Sequence, residues 1–238
     1  MPVITKILDR RKGAWVELFA DQGGSLRLPV EYAAGLRIGE QVSDEQWERL
    51  RRESDYHLLF DKALRLLGLR EHFALELRRK LALRSFDRPL VSRVIEACRE
   101  RGYLDDARAA DYTVQQVLHK GGIGRLKLKT MLKERGCPDE LLESALAKFS
   151  AQYDEAEAAR ELLAARAAMF RHKRDRARQK LEERSDIDPR KIRMLLRAKV
   201  GQAVGTFLYA RGFSGEEVNR AGRKLVDELL AEDNASEG

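Results

Sequence analysis

Cysteine, proline and aromatic residues are all scarce in this chain of 238 residues. With 2 cysteines there is no disulfide scaffold to build. Cys98 and Cys137 both fall at apolar positions of a repeat described below, which predicts buried thiols in a reducing cytoplasm. The 5 prolines leave long helices uninterrupted. Aromatic residues make up 7% of the chain and charged residues 36%, a balance that suits solvated helices with narrow apolar stripes. No stretch approaches the roughly 18 apolar residues that cross a bilayer, and Met1–Leu8 lacks the apolar run of a secretion signal. A cytoplasmic protein without membrane attachment is expected.

Catalytic chemistry is equally thin. His57, His72, His119 and His172 are scattered without ligand spacing, so no metal or cofactor is expected. Asp105 and Asp106 are adjacent and would point about 100° apart on a helix. Helix capping and dipole compensation explain them better than a metal pair. Gly121-Gly122-Ile123-Gly124 lacks the lysine and hydroxyl residue of a phosphate loop, and reads as a hinge between helices. The chain is expected not to be an enzyme.

What is present is a pattern that returns three times. Its anchors are Phe86, Cys137 and Phe213. Five residues later stand Val91, Leu142 and Val218; eight later, Val94, Ala145 and Ala221; twelve later, Cys98, Phe149 and Leu225. Five residues earlier stand Leu81, Leu132 and Leu208, and nine earlier Leu77, Leu128 and Val204. Steps of three, four and five place one helix before each anchor and one after it. Leu59, Ala63 and Leu67 match Ala110, Val114 and Leu118 further upstream, which adds a helix to the first two copies. The third copy carries about 25 extra residues and has Gly201 and Gly205 inside its second helix, which disfavour that helix.

The fold class predicted is mainly α, with tandem three-helix repeats forming an elongated curved array and a small N-terminal β-hairpin or sheet. Residues 1–54 form the β-rich segment and a linking helix. Its strands are Ile4–Leu8, Ala14–Ala20 and Leu26–Val30, with a turn at Asp21–Gly24. Ser43 and Gln46 open the linking helix as a capping box, and Glu53-Ser54-Asp55 breaks it. Repeats follow at 55–102, 103–150 and 151–230. Asp87 caps the third helix of the first repeat, and Gly102 ends it. Gly136 and Pro138 separate the last two helices of the second. The third repeat begins near Asp154 with an Ala-rich helix through about Phe170, carries a basic insertion near 171–190, and restarts at Pro189. Residues 231–238 form a disordered acidic tail.

Net charge is +7, but its location matters more. Between Arg160 and Lys199 stand 14 Lys/Arg against 6 Asp/Glu, a surplus of eight, so the rest of the chain carries about −1. An acidic partner follows: nucleic acid, an acidic protein groove or a membrane surface. The candidate partner-binding residues are Arg171, Lys173, Arg174, Arg176, Arg178, Lys180, Arg193, Arg197 and Lys199, with Lys127 and Lys129 of the second repeat. The alternative for each is a solvated helix face. Leu75 and Leu126, at matching places off the core stripe, are read as packing one repeat on the next, or else as partner contacts.

Glu100-Arg101-Gly102-Tyr103-Leu104-Asp105-Asp106, followed by Ala107–Tyr112, resembles the Gly-Tyr-Leu-Asp-Asp signature of the RecX family, bacterial regulators of the recombinase RecA. Glu76–Leu81, Lys120–Gly124, Leu132–Gly136 and Leu208–Phe213 are similar to its repeats as well. The resemblance covers residues 55–149 and, less closely, 200–226. It implies a crescent-shaped monomer that binds in the helical groove of RecA filaments on DNA. It further implies inhibition of strand exchange, ATP hydrolysis and coprotease stimulation. The insertion near 171–190 departs from the family pattern. The competing reading is a direct DNA-binding regulator with helix-turn-helix-like units.

Overall fold

The computed structural model describes residues 1–10, 14–83, 87–184 and 187–235. The anchor Phe86 lies outside the described residues. The chain divides into two compact units, Met1–Asp106 and Ala107–Gly238.

The first unit opens with three antiparallel strands in sequential order: β1 (Ile4–Arg10), β2 (Trp15–Ala20) and β3 (Ser25–Pro29). Alternation decides which face is covered. Val16, Leu18, Leu26 and Leu28 point the same way, with Val16 opposite Leu28 and Leu18 opposite Leu26. They pack with Ile4, Val42, Trp47 and Leu50, so the sheet closes on the start of a helix. That helix, α1 (Asp44–Leu67), is capped as expected, the Ser43 hydroxyl accepting from the Gln46 N–H at 3.1 Å.

The break predicted at Glu53-Ser54-Asp55 does not occur, because α1 runs 24 residues straight through it. Ser54 is buried, and its hydroxyl accepts the Arg27 N–H of β3 at 2.9 Å. A residue that would loosen an isolated helix here joins helix to sheet. One helix therefore serves both the sheet and the first repeat. Its second half packs with α2 (Ala74–Ala82) and α3 (Arg88–Glu100) around Leu59, Ala63, Leu77, Leu81, Val91, Val94 and Cys98. Asp87 caps α3 by accepting the Leu90 N–H, and Gly102 follows with φ at 70°.

Asp106 does cap a helix, though not the one beside it in sequence. One oxygen accepts the Ala74 N–H at the start of α2 at 2.6 Å, and the other accepts from Arg99 at 2.9 Å.

The second unit begins with α4 (Asp106–Lys120, whose first residue closes the first unit), α5 (Arg125–Arg135) and α6 (Asp139–Gln152). The pattern residues Ala110, Val114, Leu128, Leu132, Cys137, Leu142, Ala145 and Phe149 are buried. Gly136 ends α5 at φ 90°, where an L side chain would be strained. Both cysteines of the chain are buried.

The Ala-rich helix expected through Phe170 is two helices, α7 (Glu155–Ala165) and α8 (Ala167–Glu182), divided at Arg166. The insertion near 171–190 therefore falls largely within an ordered helix. α9 (Pro189–Ala210) passes without interruption through Gly201 and Gly205. Burial of Val200, Val204 and Leu208 along one face outweighs the propensity cost of the glycines. α10 (Glu216–Ala235) extends into the region expected to be a disordered tail, where Glu232 pairs with Arg171. α7 packs on α10 and α8 on α9 around a core that includes Phe170, Leu181, Phe213, Val218 and Leu225.

Candidate partner-binding surface

The basic surplus is carried by α8 and α9, and the structure sorts its members by what they touch. Arg174 is withdrawn from the candidate set. It is 9% exposed, and its guanidinium donates to the Leu229 carbonyl of α10 at 2.6 Å and to Asp175 at 2.8 Å. A buried cation with a backbone acceptor fixes one helix to another, and is unavailable to a partner. The sequence offered no warning, since five cations stand within Lys173–Lys180 and only the phase of α8 on α10 selects which is covered.

Arg171 is exposed but engaged. Its guanidinium meets the Glu232 carboxylate at 2.8 and 3.0 Å, which holds that carboxyl below its usual range and the guanidinium above its own. Arg178 pairs with Glu182 one turn on, at 2.7 Å, and Arg197 pairs with Asp227 at 2.6 Å. Such solvent-screened pairs are weak, so a partner can displace them at little cost. Lys173 lies over the Phe170 ring, 5.8 Å from its centroid.

Arg176, Lys180, Arg193 and Lys199 are exposed and have no acidic partner among the described residues. With Lys173 and Lys191, likewise exposed and without an acidic partner among the described residues, they form the unneutralised part of the surface. Met194 and Tyr209, 65% and 76% exposed, are outward apolar groups on the same α9. They were missed in sequence, although both fall off the four-residue spacing of Leu196, Val200, Val204 and Leu208.

In the second repeat, Lys129 shares Glu143 with Arg125, at 3.4 and 3.2 Å. Lys127 is exposed, and its backbone lies against Gly212. The glycine-rich loop before it is an anchor rather than a hinge. Gly124 donates to the Arg211 carbonyl at 2.8 Å, and Leu126 to the Gly212 carbonyl at 3.1 Å. Glu155 accepts the Arg125 N–H at 2.5 Å, and burial raises its carboxyl pKa. A Cβ on either Gly124 or Gly212 would overlap the opposing backbone. Leu75 and Leu126 are 43% and 40% exposed.

Among the described residues, no three His, Cys, Asp or Glu side chains gather as metal ligands would, and no helix is long and apolar enough to cross a membrane.

Residues 60–98 match the family model "RecX, first three-helix domain". A "Regulatory protein RecX" of Trichlorobacter lovleyi is 37% identical over 108 residues, covering 45% of this chain and 70% of that one. The chain belongs to the RecX family. A RecX regulatory protein of Clostridium acetobutylicum is 26% identical over 97% of this chain and 98% of its own length, so likeness to the family extends through the inserted helix region as well. A crystal structure of a regulatory protein RecX superimposes with a TM-score of 0.55 at 15% identity, covering 97% of this chain and all of that one, which is a likeness of fold.

Proposed function

We propose that this RecX-family chain is a non-enzymatic inhibitor of the recombinase RecA. In this reading it acts as a cytoplasmic monomer whose three repeats, 55–102, 103–150 and 151–230, meet successive subunits in the groove of RecA–DNA filaments. It lowers strand exchange, ATP hydrolysis and coprotease stimulation by occupying that groove. The observation that carries the reading is a set of exposed cations on α8 and α9 without acidic partners among the described residues, Arg176, Lys180, Arg193 and Lys199 among them. They stand on packed helices, so their positions are set before binding and little ordering is lost on contact. A filament on DNA is rich in negative charge, and such a surface speeds encounter with it while making binding sensitive to salt. Family membership supports the same reading, because the relatives are named regulatory proteins.

The test is the ATPase of RecA on single-stranded DNA with the chain titrated in. The parent chain lowers the rate. Replacing Arg176, Lys180, Arg193 and Lys199 with Ala raises the concentration needed and flattens its dependence on salt, while Arg174 is left in place to keep α8 on α10. Equal inhibition by parent and variant across salt would remove these four residues from the interface. No inhibition by the parent would remove the proposed function.

A further inference from the structure

The first unit holds a second cationic site that the charge surplus of α8 and α9 does not reveal. A basin of about 500 Å³ is lined by Tyr32, Gln46, Arg49, Arg52, Glu53 and Arg93, with Leu50 at its base. The volume lies within the range of roughly 300–1,000 Å³ that small ligands occupy. Arg49 and Arg52 stand three residues apart on α1, so their side chains share a face. Both are exposed, and neither has an acidic partner among the described residues. The carboxylate of the basin, Glu53, is already neutralised by Arg93 at 3.2 and 3.4 Å. The basin therefore keeps two uncompensated guanidinium groups.

Its aromatic wall is held in place. Tyr32, on the short helical turn Val30–Ala33, meets the His57 ring edge-on with centroids 5.3 Å apart. Trp15 and Tyr56 clamp the same His57 at 5.6 and 5.2 Å, and Arg93 lies 4.2 Å from the centre of the Tyr56 ring. Tyr32 is nevertheless 38% exposed. Fixed from behind and open in front, it is a stacking platform beside paired cations. An acidic peptide would use the arginines but not the ring. A duplex would offer phosphates but no open base face. A single strand offers both, because its unpaired bases stack on aromatic rings while its phosphates meet arginine.

We propose that this basin binds single-stranded nucleic acid without strong sequence preference, with a base stacked on Tyr32 and neighbouring phosphates on Arg49 and Arg52. The site belongs to the first unit and needs no recombinase, so its failure and the failure of the proposed function are separately visible.

The experiment uses the full chain and a fluorescein-labelled oligothymidylate, without recombinase, read by anisotropy across salt. A 5-iodouracil version of the strand is photocrosslinked and the adduct mapped by mass spectrometry. The adduct is expected at Tyr32. The variant Arg49→Ala/Arg52→Ala is expected to bind at least tenfold more weakly, with a salt slope smaller by about 1.4, the value for two phosphate contacts on a single strand. Tyr32→Leu should lose about 5- to 150-fold, as removal of one stacked base does, and Tyr32→Phe should restore it. Matching circular dichroism and Tm of the variants keep a folding defect apart from a binding defect. The proposal is overturned if the strand does not bind, if the variants bind like the parent, or if adducts map only to α8 and α9. It is also overturned if polyglutamate binds the basin and the oligonucleotide does not, which would assign it to an acidic protein segment.

Discussion

The first and last repeats are built from the same stripe of apolar residues, yet the last carries an added helix dense in cations. In the first, several cations are answered from within, while Arg65, Arg78, Arg88 and Arg101 have no acidic partner among the described residues. Glu76 takes both Arg70 and Lys80, Glu53 takes Arg93, and Asp106 takes Arg99. In the last, Arg171, Arg178 and Arg197 are answered, whereas Arg176, Lys180, Arg193 and Lys199 have no acidic partner among the described residues. The difference comes with an additional helix. α8 brings a block of cations into a repeat whose core is otherwise the familiar one, and one of those cations, Arg174, is used to fasten it. The block of cations is thus mounted on an ordered element rather than on a loop.

Long-range joints within the two units also differ. In the first unit Asp106 caps α2 through a side chain. The second and third repeats are joined backbone to backbone, at Gly124 and Gly212. The largest expected effect breaks this second joint. Gly212→Ala places a Cβ against the Lys127 backbone at φ 79°, and should destabilise the second unit by on the order of 3 kcal/mol. Thermal unfolding followed by circular dichroism reads it. A fall in Tm no larger than that of Gly201→Ala, where a Cβ meets open space, would show that the close approach is not needed.

Next is the fastening of α8. Arg174→Ala leaves the Leu229 carbonyl without its guanidinium donor, and should destabilise the chain by about 2 kcal/mol. Arg176→Ala, at an exposed site on the same helix, should stay within about 0.5 kcal/mol. Urea titration of the two variants separates them, and equal losses would return Arg174 to the surface set.

The smallest effect sharpens the contrast through pH. Burial lowers the pKa of His57 and His72, both in the first unit. The unfolded chain then binds more protons than the folded one below about pH 6.5, so the first unit loses stability as pH falls through that value toward the depressed folded values. Burial raises the carboxyl pKa of Asp55 in the first unit and of Glu155 in the second. At both the folded state binds the proton more readily, so their contribution to stability rises as pH falls toward the ordinary carboxylate range. Hydrogen exchange corrected for intrinsic rates should show α1–α3 opening more readily at about pH 5.5 than at pH 7.5, with α5 and α6 unaffected or slowed. Uniform loosening of both units would contradict the assignment.

The sequence by itself determined which residues the repeat helices bury, though not that α1 runs through Ser54 or that α7 and α8 are separate. Periodicity is a local property, and nearly every pattern residue, from Leu77 and Val94 to Leu208 and Val218, is in the core. Caps at Ser43 and Asp87 and the glycine stop at Gly136 were equally legible, because each involves residues within a few positions. Tertiary structure decided what Ser54, Asp106, Gly124 and Arg174 do, since their partners lie 27, 32, 87 and 55 residues away. It also decided which cations remain available. A run of charge announces a basic helix, but only the phase of that helix against its neighbour determines which of its arginines turn inward to a carbonyl and which face solvent.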